Sequence, residues 1–165
     1  MKLSSLFFIV LTYMLLPFSA QANWQFTGNL IIPPSCQLGK TDPIRVSFGE
    51  IVIRKIDGNA FRKNVPFTIT CDNNTNYPWD VKLTFGGTLA GTGFDNATLS
   101  TRTPKNTGKF GIQIQVNGKP QPLNRPFSIR ISAPPVISAV PVKLSNAKLV
   151  ADDFTASGTL TIDFQ

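Results

Sequence analysis

Phe154-Thr-Ala-Ser-Gly-Thr-Leu-Thr-Ile-Asp-Phe-Gln165 sets Phe154, Ala156, Gly158, Leu160, Ile162 and Phe164 on one parity, with polar residues on the other up to Gln165. Successive side chains of an extended strand point to opposite faces, so this alternation describes one strand with an apolar face and a solvated face. The pattern is still running at Gln165. A strand that ends with the sequence has no successor, so its outer edge and the apolar groove beside it are expected to stand open.

A complementary stretch lies at the other end. Asn23-Trp-Gln-Phe-Thr-Gly-Asn-Leu-Ile-Ile32 puts Trp24, Phe26, Gly28, Leu30 and Ile32 on one parity and Asn23, Gln25, Thr27 and Asn29 on the other. Pro33 and Pro34 separate this strand from the rest of the chain, which favours pairing outside its own domain. Gly28, mid-strand on the apolar side, marks a close approach by another chain segment. One strand without a partner and one groove without a strand predict subunits that complete each other by strand addition. Such a head-to-tail contact builds a linear fibre rather than a closed ring.

The residues ahead of Asn23 read as a secretory signal: Lys2, an apolar run over Leu6–Leu16, then Ala20-Gln21-Ala22 with cleavage after Ala22. A run of about 11 residues is too short to span a bilayer. Cleavage leaves residues 23–165, enough for one domain with a real core. The expected divisions are therefore 1–22 as signal peptide, 23–34 as extension and 35–165 as the folded domain. Cys36 and Cys71 are the only cysteines, and in an oxidising compartment an even pair reads as a disulfide, with two free buried thiols as the alternative. The bond would close a loop of about 36 residues and contribute about 3–4 kcal/mol in the chain-entropy description.

Between the two ends, thirteen prolines, twelve glycines and many β-branched and aromatic residues disfavour helix. Alternating apolar residues predict strands over 30–38, 44–53, 65–71, 79–85, 110–116, 127–131, 136–144 and 154–164. Asp57-Gly58-Asn59, Asp72-Asn73-Asn74 and Asn117-Gly118 are turn signals, the last a two-residue hairpin. Gly86–Gly93 reads as a flexible loop, since it lacks the Gly-Lys-Ser/Thr end of a phosphate loop. Asn73-Asn74-Thr75 and Asn96-Ala97-Thr98 match the glycosylation sequon. The pattern is that of an all-β sandwich of immunoglobulin type. It departs from that type in two respects: Trp79 follows both cysteines instead of lying between them, and the final strand runs to Gln165 with no strand after it.

The chain resembles the pilins of the chaperone–usher pathway of Gram-negative bacteria. The carriers are Phe26-x-Gly28-x-Leu30 with a cysteine soon after, Val46-Ser-Phe-Gly49, Phe67-x-Ile69-x-Cys71, and the final alternating strand with its penultimate aromatic Phe164. Asp152 stands where the family often has glycine, and Phe164 where it often has tyrosine. The resemblance implies an incomplete immunoglobulin-like sandwich of six main strands, its last strand missing and supplied by a donor strand. It implies a Cys36–Cys71 disulfide between the first two strands. Trp24, Phe26, Gly28, Leu30 and Ile32 would be the donor residues. Val142, Leu144, Phe154, Leu160, Ile162 and Phe164 would line the acceptor groove, and the Gln165 carboxylate would anchor to a periplasmic pilus chaperone. An outer-membrane usher would then exchange the chaperone for the next pilin or adhesin, at the cell-surface fimbrium. The short extension is most like that of minor tip or adaptor subunits.

Other classes fare worse. With no histidine there is no Ser-His-Asp or Cys-His arrangement, and two cysteines alone do not complete a zinc site, so neither catalysis nor a metal or cofactor is expected. The leader carries Lys2 alone, so the formal +7 falls to +6 on cleavage. The bases are scattered, without a run of five or interleaved aromatics, which argues for solvated surface charge biased toward an acidic partner and against nucleic acid. The alternative function is a receptor-binding adhesin module, with Tyr77 and Trp79 stacking on a sugar, although Trp79 has the inward parity of its strand.

Overall fold

The computed structural model describes residues 22–30, 32, 34–39, 43–72 and 80–164. The leader through residue 21, Ile31, Pro33, Asp42, the sequon at 73–75, Tyr77, Trp79 and Gln165 lie outside the described residues. The chain divides into two units, Met1–Ile31 and Ile32–Gln165. In the first, residues 22–30 are exposed and form no strand ladder.

The second unit is all-β. Its strands are β1 (Cys36–Leu38), β2 (Lys63–Asn64), β3 (Ile69–Cys71), β4 (Val81–Gly87), β5 (Thr98–Ser100), β6 (Phe110–Val116), β7 (Lys119–Pro120), β8 (Pro126–Ile129), β9 (Ile137–Lys143) and β10 (Gly158–Phe164), with one 3-10 turn at Ile53–Lys55. One sheet runs β10-β4-β8 and another β2-β9-β6-β5, with β7 hairpinned onto β6; β1 and β3 form a separate pair. All these ladders are antiparallel. Leu83 and Phe85 of β4 share one apolar cluster with Leu99 of β5, Phe110, Ile112 and Ile114 of β6, and Ile137 and Ala139 of β9. The two larger sheets therefore face each other over one core. Cys36 and Cys71 are directly opposite in the β1–β3 ladder and form the disulfide.

The alternation in the sequence maps onto this core where a strand has one dry face. On β4, Val81, Leu83 and Phe85 are buried and the residues between them half-buried, as period two requires. The Asn117-Gly118 turn joins β6 to β7 with φ of 50° and 79°. These are the two positive angles of a type I′ hairpin. Asn117 also accepts a hydrogen bond from Val136 N–H through Oδ1 at 3.0 Å, which fixes the start of β9.

Three expectations change. The segment expected as a strand at 44–53 belongs to no ladder among the described residues, takes a positive φ at Gly49 and turns at Ile53–Lys55. Gly86–Gly93 is not a free loop. Gly86 and Gly87 finish β4, and the chain then pairs with β5 through Ala90 N–H to Thr98 C=O (2.9 Å) and Ser100 N–H to Thr88 C=O (2.8 Å). Strand β5 itself falls outside the expected set, because three residues are too few to show a period. The final strand does not begin at Phe154. Thr155 first exchanges hydrogen bonds with Arg102, at 2.8 and 3.1 Å, and the ladder with β4 starts only at Gly158. A side chain at 158 would collide with the Phe85 ring and the Gly86 carbonyl, so the crossing between sheets requires glycine there.

Polar side chains hold that crossing in place. Asn106, buried at 6% exposure, donates through Nδ2 to Val150 C=O (2.9 Å) and accepts from Val150 N–H through Oδ1 (3.0 Å). Its own N–H donates to Thr103 Oγ1 (2.9 Å). Asp152 accepts from Lys105 N–H at 2.6 Å. Asn106 thus acts as one rung of a ladder for a segment that belongs to no strand.

Candidate functional site

Strand β10 stands at the edge of its sheet, paired with β4 on one side. Leu160 lies opposite Phe85 and Ile162 opposite Leu83, and directly opposed residues of an antiparallel pair point to the same face. Yet Leu83 and Phe85 are buried, while Leu160 and Ile162 are only half-buried. One strand's width separates a dry core from a half-wet one. Along residues 43–49, which have no ladder, the pattern repeats: Val46 and Phe48 are half-buried and Ile44 is 40% exposed. Phe48, Leu160 and Ile162 all pack against the same core cluster. A segment with no ladder among the described residues and an edge strand paired on one side only thus lay half-buried apolar side chains against one core cluster.

Phe154 packs at the base of this arrangement. Its ring meets Phe110 edge-on at 4.8 Å between centroids and Phe48 at 5.9 Å. Such tilted pairs suit the positive edge and negative face of aromatic rings. Phe164, at the end of β10, is half-buried on the face of Val81. The structure thus brings Phe154, Leu160, Ile162 and Phe164 to the core-facing side. It does not bring Val142 or Leu144 there. On β9 the core side carries Ile137, Ala139, Pro141 and Lys143, opposite Val116, Ile114, Ile112 and Phe110. Val142 faces away, opposite Gly111 and against Gly58. Leu144 packs on Gly93 and donates its N–H to Lys109 C=O at 3.1 Å. Gln165 lies outside the described residues. Val46 and Phe48 are not among the groove residues that the resemblance implies; their alternation ahead of Gly49 is the signal that could have found them.

The extension presents exposed apolar side chains. Trp24 is 80%, Phe26 88%, Leu30 105% and Ile32 84% exposed. The Trp24 and Phe26 rings stack at 6.5 Å, as same-face neighbours two residues apart can. A Cβ added at Gly28 would meet nothing within 4 Å. Burying each large side chain of such a row is worth on the order of 1.5–3 kcal/mol. No residue from 22 to 32 is charged, and none of Val46, Phe48, Leu160 and Ile162 is either, so apolar contact and main-chain bonds are the forces on offer.

The three-stranded sheet has a second edge, β8, and it is blunted. That strand has four residues, begins with Pro126, is flanked by Arg125 and Arg130, and closes into a tight turn through Ala133 N–H to Arg130 C=O (3.1 Å). Proline, short length and flanking charge are the ordinary devices that keep an edge from pairing. Strand β10 has seven residues and carries neither proline nor a basic side chain. Of this sheet's two edges, only β10 is fit for strand addition. Among the described residues no cluster of three metal-ligating side chains occurs, and no helix is long and apolar enough to cross a membrane.

Comparison with known proteins agrees with this geometry. Residues 24–165 match the family model described as fimbrial protein. The chain is 38% identical over 151 residues to the fimbrial-like protein YfcQ of Escherichia coli (strain K12), covering 89% of this chain and 90% of that protein. Among solved structures it superposes on the P pilus adaptor subunit PapF with a TM-score of 0.55 at 22% identity, covering 83% of this chain and all of that one. It superposes on the P pilus rod subunit PapA with a TM-score of 0.58 at 16% identity, covering 86% of this chain and all of that one.

Proposed function

The chain belongs to the fimbrial protein family, a family of structural fibre subunits, and on that premise we propose that its groove receives the N-terminal strand of a neighbouring subunit. The observation that carries this reading is the pair of strand edges without a ladder, residues 43–49 and β10, on either side of one half-buried apolar cluster. The segment that docks into the next subunit is Trp24–Ile32. After removal of residues 1–22 in the periplasm, a pilus chaperone holds the groove with a strand of its own. An outer-membrane usher then exchanges that strand for the extension of the next pilin. The subunit occupies a minor tip or adaptor position that links an adhesin to the fibre and so supports adhesion. The short, uncharged extension supports that placement.

The test is direct. A chain lacking residues 1–32 is prepared with its chaperone, then mixed with synthetic peptides of the extensions of its neighbouring subunits. A cognate peptide displaces the chaperone and raises the melting temperature of the released subunit. If no neighbour's extension displaces it, while the chain still folds with the chaperone, the groove assignment fails.

A further inference from the structure

Strand β4 has neighbours of unequal length. Strand β10 pairs with all of it, from Val81 to Gly87, whereas β8 covers only Val81 to Thr84. Past Thr84, the place of β8 is taken by Asn124. Its N–H donates to Phe85 C=O at 2.8 Å. Its side chain then engages both main-chain groups of Gly87: Oδ1 accepts from the Gly87 N–H and Nδ2 donates to the Gly87 C=O, each at 3.0 Å. One amide thus stands in for the rung that a neighbouring strand would supply.

Beyond Gly87 the chain runs along the other sheet. Thr88 C=O accepts from Ser100 N–H (2.8 Å) and Ala90 N–H donates to Thr98 C=O (2.9 Å), so both turn toward β5. Main-chain groups alternate in direction along a strand, so those of Leu89 point away from β5, to the side on which Asn124 holds Gly87. Among the described residues no hydrogen bond reaches them, and the Leu89 side chain is 47% exposed. The whole run from Leu83 to Phe94 carries neither charge nor proline. An uncharged edge of this kind is a template for another chain. Stability gives little reason for the Asn124 amide. Asn106, which makes the same two bonds to Val150, is buried, whereas Asn124 is exposed. Where water can reach, such bonds replace water bonds and their net contribution is small. What the side chain changes is who else can bind Gly87.

We propose that Asn124 determines where strands add to this subunit: its side chain plugs the far edge of β4, so that a second copy of this chain cannot pair there edge to edge and strand addition is confined to β10. With the plug removed, Gly87 and Leu89 form two consecutive outward rungs. An antiparallel pairing with the same stretch of another copy is self-complementary and sets no like charges against each other, in a chain that is otherwise strongly basic. The inference rests on the docking reading in taking β10 as the productive edge.

The mature chain is prepared in complex with its chaperone as the parent, Asn124→Gly, Asn124→Gly/Thr88→Lys and Asn106→Ala, and association is followed by light scattering against concentration. Asn124 has φ of 59°, which glycine adopts without strain, so Asn124→Gly removes the amide and little else. The parent is expected to remain a single complex, and Asn124→Gly to self-associate about tenfold or more tightly. Leu89 lies opposite Leu99 of the core, so Thr88 points to solvent, where it is exposed. A lysine there restores the single complex, because charge on an edge blocks pairing. Asn106→Ala loses the same two bonds inside the domain; it melts earlier but does not associate. The proposal falls if Asn124→Gly behaves as the parent, if Asn106→Ala associates as strongly, or if Thr88→Lys restores nothing. A parent that forms no soluble complex counts against the docking reading instead. Asn124→Gly and Asn124→Gly/Thr88→Lys are then compared by their rates of aggregation without chaperone, where equal rates overturn the plug.

Discussion

Gly28 is the residue on which the docking proposal turns most sharply. A Cβ there meets nothing within 4 Å among the described residues, so a substitution is expected to be neutral for the subunit's own fold. In a neighbour's groove the same position lies between Phe26 and Leu30, where space is set by the receiving strands. Gly28→Trp is therefore expected to leave chaperone binding and secretion intact and to stop fibre growth, read by electron microscopy of surface fibres; normal fibres would remove the donor assignment. Asn106 is the counterpart inside the domain. Asn106→Ala deletes both hydrogen bonds to Val150 and strands main-chain groups without partners. The expected loss is about 2–4 kcal/mol in denaturant unfolding. Asp57 sets a pH dependence. The N–H groups of Ala60 and Asn59 hold its carboxyl below the ordinary value of 3.8, so the folded state binds the proton less tightly than the unfolded one. That contribution is present above pH 3.8 and lost as the pH falls through the lower folded value. Because Asp57 is fully exposed, the effect is small: the melting temperatures of the parent and Asp57→Ala differ at neutral pH and converge in acid.

Among the elements, the β1–β3 pair is the one held covalently. Its three-residue strands are too short to persist alone, and the Cys36–Cys71 bond closes the loop between them. Cys36→Ser/Cys71→Ser is expected to lose about 3–4 kcal/mol by urea unfolding of the chaperone-released, peptide-filled subunit. Strands β4, β6 and β10 are legible from period two in the sequence, since each shows an apolar parity. Strand β9 is not. Its residues 137–141 are buried on both parities, so alternation does not say whether Pro141 or Val142 meets the core. Placing Val142 and Leu144 in the groove takes the other parity for that reason. Strand β5 is illegible because Thr98–Ser100 is fixed by pairing with β6 and residues 88–90, not by any local pattern.

For the whole molecule, the open groove is a stability statement. Leu160, Ile162, Val46 and Phe48 are half-wet in a domain whose other strands enclose a dry core. The mature chain without chaperone or donor is expected to aggregate, and a filled groove to raise its melting temperature by many degrees, since each apolar side chain docked adds on the order of 1.5–3 kcal/mol. A stable, monomeric chain in the absence of any donor would contradict this. The sequence by itself determined the amphipathic extension, the cysteine pair, the absence of charge along 22–32 and the all-β class, because each is written in composition or in neighbours two residues apart. Only the tertiary structure decided that residues 43–49 find no ladder among the described residues, and that the final strand joins β4 only from Gly158. Those outcomes depend on pairings between residues tens of positions apart, and local periodicity carries no information about which strand a strand will meet.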